Sequence, residues 1–466
     1  VNAKLKVVST SGGKQLALDL DTRVDKFSAT LGSNQVSQVD VQLQSHASAT
    51  DMKQFKLADY RLDIAHQGQP ALVATGAGTF DAATQDADLQ LAVQATLARL
   101  LALLPQPDAS IPTGSLVFKS HIVSRGKAQT VTGQLALTDF TGQFGTLRFK
   151  NYGTALGFDV GMKDNLLEIR KATGELREGQ KAGGRFEASG SFETVKKSGS
   201  IAVKLTDFNP NGLRPFLESA LGDKKLVSVS LNTTAAVNLA ANGDAALKTD
   251  LSVTNLVVND PSGTIPATPL EARVQLDATV AKQVTQIRQG QLTLTPTDRA
   301  KNELNLTGNV DASKSNAITG TLKLAAESLD VTRYYDLFAG KPKPATSAAA
   351  TKPAPAPVTA PVNPDQEPPA MPLPFQNFTF ELNIGRFFLR EVAISNLLTT
   401  LRIDGGHVVL KCPATSMMSR LVPMPSSSRP WSTASCRIAK AKWPALPPPA
   451  RNSKARASPA RTCKRI

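Results

Sequence analysis

The sequence predicts a mainly β protein: an elongated antiparallel sheet of long strands, each apolar on one side only, with a few short helices. Three observations carry this expectation. Apolar and polar residues alternate with a period of two through most of the first 411 residues. Breaks such as Gly12-Gly13, Asn242-Gly243 and Gly405-Gly406 cut the alternation in the manner of hairpin turns. Helical patterning is confined to Thr96 to Leu104, Asn211 to Leu221 and Val331 to Phe338, each placed directly after a strand.

Taken in chain order, Val39, Val41 and Leu43 alternate with Asp40, Gln42 and Gln44, and Leu89, Leu91 and Val93 with Asp88, Gln90 and Gln94. The longest run places Val227, Val229, Leu231, Val237 and Leu239 opposite Ser228, Ser230, Asn232 and Asn238. That run predicts a strand of roughly 40 Å at about 3.3 Å per residue. Val274 and Leu276 continue the pattern against Arg273, Gln275 and Asp277, and Phe378, Phe380, Leu382 and Ile384 against Thr379, Glu381 and Asn383. The triplets Thr138-Asp139-Phe140, Thr254-Asn255-Leu256 and Ser395-Asn396-Leu397 recur after the three helices. Their spacing predicts a unit of about 115 residues, one helix and several strands, repeated roughly three times.

Composition divides the chain. Lys and Arg number 53 against 38 Asp and Glu, but residues 405–466 hold 12 of the basic residues and no acid, leaving 41 against 38 before them. A nearly neutral body of this kind is no nucleic-acid platform. All three cysteines and both tryptophans also fall in this last stretch (Cys412, Cys436, Cys463; Trp431, Trp443), so the body has neither a disulfide framework nor a thiolate metal site. The expected organisation is a repeat-built β region over 1–340, a Pro/Ala-rich insertion over 341–374 with 11 prolines, a return to the sheet over 375–411, and a basic tail without periodicity over 412–466. No apolar run reaches the length of a membrane-spanning helix. The chain opens at Val1 in a strand-like run and is expected to be a fragment lacking its start.

No constellation for catalysis or cofactor binding emerges. His46, His66, His121 and His407 have no second ligand at metal spacing. Gly76-Ala77-Gly78 lacks the third glycine of a dinucleotide turn, and Gly12-Gly13-Lys14 the upstream glycine of a phosphate loop. Asp19, Asp21 and Asp25 alternate with leucines and lack the glycine and terminal glutamate of a calcium loop. No metal, no cofactor and no enzymatic activity are expected.

The one-sided apolar surface is therefore the informative feature. A β-sandwich would bury it as a dry core, and an outer-membrane barrel would need aromatic girdles that a body without Trp and with four Tyr cannot supply. Three short helices cannot cover strands of this length, and few aromatics are present to fill a thick core. The expected lining of an open, lipid-binding groove is Leu89, Leu91, Val93, Val229, Leu231, Val237, Leu239, Val274, Leu276, Phe378, Phe380, Leu382 and Ile384.

The segments Lys204 to Leu217 (Lys-Leu-Thr-Asp-Phe-Asn-Pro-Asn-Gly-Leu-Arg-Pro-Phe-Leu) and Lys323 to Phe338 resemble the strand-then-helix signature of AsmA-like proteins, and Phe378 to Leu410 resembles the strand series that follows it. This resemblance spans about residues 198–411. It implies a periplasmic protein of a diderm bacterium, held to the inner membrane by an N-terminal helix that this sequence lacks. It further implies a curled sheet whose apolar concave face carries phospholipid acyl chains between inner and outer membrane, supporting outer-membrane assembly, with outer-membrane components as possible partners. The tail departs from that pattern. Reading Lys440 to Lys464 from the third codon base permits a glycine-rich string like the one the family places there, so the tail is expected to be out-of-frame translation.

Overall fold

The computed structural model describes residues 1–31, 34–103, 106, 108–222, 224–261, 263, 268–338, 374–405 and 407–411. They belong to one compact unit, Val1–Leu421; a second, Val422–Ile466, lies outside the described residues. So does the predicted insertion except Pro374, together with the predicted tail and all three cysteines.

Alternation makes strands, and every strand joins a single open, curled sheet of 21. The chain builds it six strands at a time. The first unit comprises β1 (Asn2–Thr10), β2 (Gln15–Leu31), β3 (Asn34–Thr50), β4 (Gln54–His66), β5 (Gln69–Asp81) and β6 (Asp86–Thr96), closed by α1 (Leu97–Leu103). The second comprises β7 (Ala109–Arg125), β8 (Ala128–Phe144), β9 (Leu147–Lys163), β10 (Leu166–Glu178), β11 (Lys181–Glu193) and β12 (Ser198–Phe208), closed by α2 (Pro210–Leu221). The third comprises β13 (Lys225–Leu239), β14 (Ala245–Asn259), β15 (Leu270–Ala281), β16 (Val284–Leu294), β17 (Glu303–Asp311) and β18 (Ile318–Asp330), closed by α3 (Thr332–Phe338). After these come β19 (Phe375–Leu389), β20 (Val392–Asp404) and β21 (His407–Lys411). The repeat read from the triplets is thus a six-strand unit with one helix.

Because each unit has an even number of strands, all three helices emerge at the same edge of the sheet. At α2 the start is set by Asn209, whose side chain accepts from the Asn211 N–H, with proline at the first helical position. Tight turns close the opposite edge, and each brings the chain back beside the strand it left.

The recurring triplet has a conformational cause. Asp139, Asn255 and Asn396 all adopt left-handed backbone, with φ of 51°, 52° and 53°. Asp and Asn tolerate this conformation because their short side chains hydrogen-bond locally. In β8 and β14 the pairing register slips at this point, between Leu137 and Phe140 and between Val253 and Leu256. The bulge re-aims the next apolar residue: Phe140 is buried, and Leu256 packs into a helix-side cluster.

One pairing differs from the expected all-antiparallel meander. β6 and β7, and β12 and β13, are antiparallel across their helices, whereas β18 and β19 run parallel. The third triplet therefore falls early in a strand that runs the other way, instead of late as in β8 and β14. Its matching sequence interval does not reflect a matching strand position.

Candidate functional site

Register shows what alternation alone could not. Starting at Val7, the directly paired residues run Leu18, Ala47, Leu57, Gly78, Leu89, Ile122, Val131, Val160, Ile169 and Gly190. The row continues through Ile201, Val237, Leu247, Ala278, Ile287, Gly308, Leu322, Phe380, Leu401 and Leu410. It crosses all 21 strands, about 100 Å at ~4.8 Å per strand, without one polar side chain. The parallel junction does not break it, since Leu322 meets Phe380 there.

The candidate lining residues fall on this face in aligned rows. Leu89, Val237 and Phe380 lie in the unbroken row; Leu91, Leu276 and Leu382 lie in the next, and Val93, Val274 and Ile384 in the one beyond. Leu231 pairs with Phe208 and Val253, Leu239 with Gly199 and Ala245, and Phe378 with Gly320 and Ile403. The aromatic members Phe118, Phe158 and Phe186 were not singled out in the sequence, because in the strands between residues 109 and 193 glycine often stands where an apolar residue would complete the alternation. Those glycines are occupied from the side. A Cβ at Gly133 would stand 2.4 Å from the Phe158 ring, and one at Gly174 2.4 Å from the Phe186 ring. Each ring lies over the glycine of the adjacent strand and fills its place.

Three candidates are not open. Val229 is 4% exposed, inside a cluster with Leu221 of α2, Leu226, Val258, Leu270 and Leu337 of α3. Ile384 and Phe378 are also buried, the former against Ala326 and Leu329. Helical cover explains Val229. The helices lie on the apolar face along their own edge, where Leu100 and Leu103 of α1 pack on Val39, Val41, Ile64 and Ala71. Away from that edge the face is open at many points, although Ala278 and Phe378 are buried: Leu89 is 39% exposed, Ile201 45% and Val237 42%. A second sheet packed on these residues would have buried them.

Side-chain bonds hold the helices down. The buried Tyr152 hydroxyl donates to the Gly212 carbonyl oxygen of α2, and burial pushes its pKa up to about 12. Arg214 pairs with Glu178. At α3, Asp330 is 6% exposed and joins Arg299 at 2.6 Å while accepting from the Thr332 N–H. Burial alone would raise its carboxyl, but the bonds from Arg299 and Thr332 outweigh it and hold the group below the usual carboxylate range. A carboxyl depressed in the fold contributes stability above its unfolded value, near 3.9, and loses it as pH falls through its folded value. Protection of the 332–338 amides, taken against their intrinsic exchange at each pH, should therefore fall below about pH 4, and Asp330→Asn should remove that acid step. An unchanged step in the variant would assign it elsewhere.

The opposite face is polar and self-neutralised. Arg273 pairs with Asp250 across β14 and β15, Arg288 and Lys248 both meet Asp277, and Arg170 meets Asp159. Hydrogen bonds from Arg273 and Gln275 hold Asp250 below the ordinary carboxylate range, while Asp59 raises His46 above the ordinary imidazole value. Two hollows, of about 1060 and 830 Å³, open on this side, bordered by Gln44, Lys119 and Asp159 in one and by Lys204, Asp250 and Asp277 in the other. Both hollows share Lys171 and Thr173 beside the register shift between Ile169 and Lys171, where a bulge bends β10. Among the described residues no three His, Cys, Asp or Glu side chains gather into a metal site, and no helix is long and apolar enough to cross a membrane.

No protein-family model, no curated protein and no solved structure matches the chain.

Proposed function

We propose that the chain binds lipid on its apolar face and passes acyl chains along it, as a conduit of a bacterial envelope. The observation that carries this reading is the apolar row running unbroken over 21 strands, with Leu18, Leu89, Ile201 and Val237 exposed on it away from the helices. A contiguous apolar surface of this extent is costly in water and calls for an occupant. An acyl chain gains about 0.8 kcal/mol for each methylene it withdraws from water, with no need for a specific polar site. Equal rows on successive strands offer it near-equal environments, so movement across the sheet meets low barriers. The resemblance to AsmA-like proteins supports placing this work in the periplasm, between the two membranes.

The test is native mass spectrometry of the purified protein, followed by extraction of fluorescent phospholipid from vesicles. Bound phospholipid and transfer between vesicles are expected. A lipid-free protein whose copies pair through the apolar face would instead favour a structural role, with that face as dry core.

A further inference from the structure

We infer that the hairpin edge opposite the helices is a lysine comb that holds the anionic phosphate head groups of lipids whose chains lie on the apolar face, an inference that rests on the acyl-chain reading above. The two long edges of that face differ. α1, α2 and α3 sit on it along one edge, so a head group leaving the face towards water has its free exit at the other. There, three successive hairpins of the second unit bear Lys127, Lys163, and Lys196 with Lys197, and two of the third bear Lys282 and Lys314. All six are exposed.

Four carboxylates of this edge are engaged by turn N–H groups, while Asp164 stays exposed beside Lys127. Asp86 accepts from the Gly126 N–H, Glu193 from the Val195 and Lys196 N–H groups, Asp244 from the Lys282 N–H and Asp311 from the Ser313 N–H. They close turns, and the ammonium groups beside them are left facing solvent. Of the six lysines only Lys127 comes within 4.0 Å of a described carboxylate, Asp164 at 3.8 Å, and its side chain remains 86% exposed. Hairpins of one edge recur every second strand, about 10 Å apart at ~4.8 Å per strand. Positive charge thus repeats alongside the apolar rows, with exposed Met162 and Val195 between the lysines. Apolar surface bordered by exposed ammonium groups, five of the six without an ion pair to a described carboxylate, complements an anionic amphiphile better than a zwitterionic one.

The experiment uses vesicles of equal parts phosphatidylglycerol and phosphatidylcholine, with extracted lipid counted by mass spectrometry. The wild type should enrich phosphatidylglycerol about fivefold, the ratio of one lysine–phosphate contact at a lipid surface. Enrichment should fall with added salt. In the quadruple variant K127E/K163E/K196E/K197E, which leaves Lys282 and Lys314, it should fall by at least half while total extracted lipid stays within about twofold, since the acyl chains keep their surface. Lys→Gln versions at the same sites check that the loss follows charge and not folding, and should lose enrichment as well. Equal extraction of both lipids by the wild type, or undiminished enrichment in both variants, would overturn the inference and leave the acyl-chain reading standing. Phosphatidylglycerol-dependent flotation without extraction would place the lysines on a membrane surface and overturn it too. If neither lipid is extracted and no vesicle is bound, the acyl-chain reading itself fails.

Discussion

Leu337→Asp should open the corner where α2 and α3 meet. Leu337 is 1% exposed and lies among Leu221, Leu226, Val229, Val258 and Leu270, with Leu213, Leu217 and Tyr334 at the margin. A carboxylate there would replace an apolar side chain enclosed by leucines and valines, so it must protonate, draw the Lys224 ammonium away from its carbonyl partners, or drive the helix off the sheet. Truncation alone, as in Leu337→Ala, is worth about 2–5 kcal/mol, and the charged residue adds to that. Loss of α3 releases more than one side chain. The Lys224 ammonium donates to the carbonyl oxygens of Asp336 and Leu337, and Arg390 binds Asp336 at 2.6 Å, so the link to β13 and the β19–β20 hairpin loosen together. Thermal unfolding should show an early phase absent from the wild type, with protease sensitivity near 332–338. Leu337→Met should restore a single transition, because it preserves volume at a cost under about 1.5 kcal/mol. An unaltered melt in Leu337→Asp would mean that the corner does not hold the sheet end.

Much of this fold could be read from residues alone, because alternation depends on one physical rule that holds along every strand. The three helices were legible from the lapse of alternation after a strand, and the sequence boundaries differ from Leu97–Leu103, Pro210–Leu221 and Thr332–Phe338 by one residue at each end where they differ at all; the cap of the second, Asn209, lies two residues before the Asn211 at which the pattern begins. Register was not legible. Nothing in the local pattern of Phe378 or Leu322 states that β19 runs parallel to β18, since both directions place the same side chains on the same face. Burial was equally hidden. Val229 and Val237 share one strand and one face, yet the first is 4% exposed and the second 42%, because α2 and α3 cover only the start of β13. The hollows on the polar side had no sequence signal either, as they depend on how a bulge such as that at Lys171 bends the sheet.

The same chemical change on the same face, away from the helices, should have the opposite outcome. Leu89 and Val237 stand in the unbroken row, 39% and 42% exposed, the first beside Gly78 and Ile122 and the second beside Ile201 and Leu247. An aspartate at either point keeps its carboxylate in water, so the double variant L89D/V237D should unfold within about 1 kcal/mol of the wild type for each substitution. Lipid should feel it far more. A charge in the row denies an acyl chain at least two methylene contacts, about 1.6 kcal/mol at 0.8 kcal/mol each, which is more than tenfold in occupancy. Because the substituted positions lie in the first and third six-strand units, a lipid crossing the sheet meets both. Phospholipid should disappear from the mass spectrum of the folded variant, and vesicle-to-vesicle transfer should fall at least in proportion. L89N/V237N separates charge from polarity, and its transfer should lie between the two. If L89D/V237D stays folded and carries as much lipid as the wild type, the acyl chains do not lie on this face; if it unfolds, the face is sealed by something the described residues do not include.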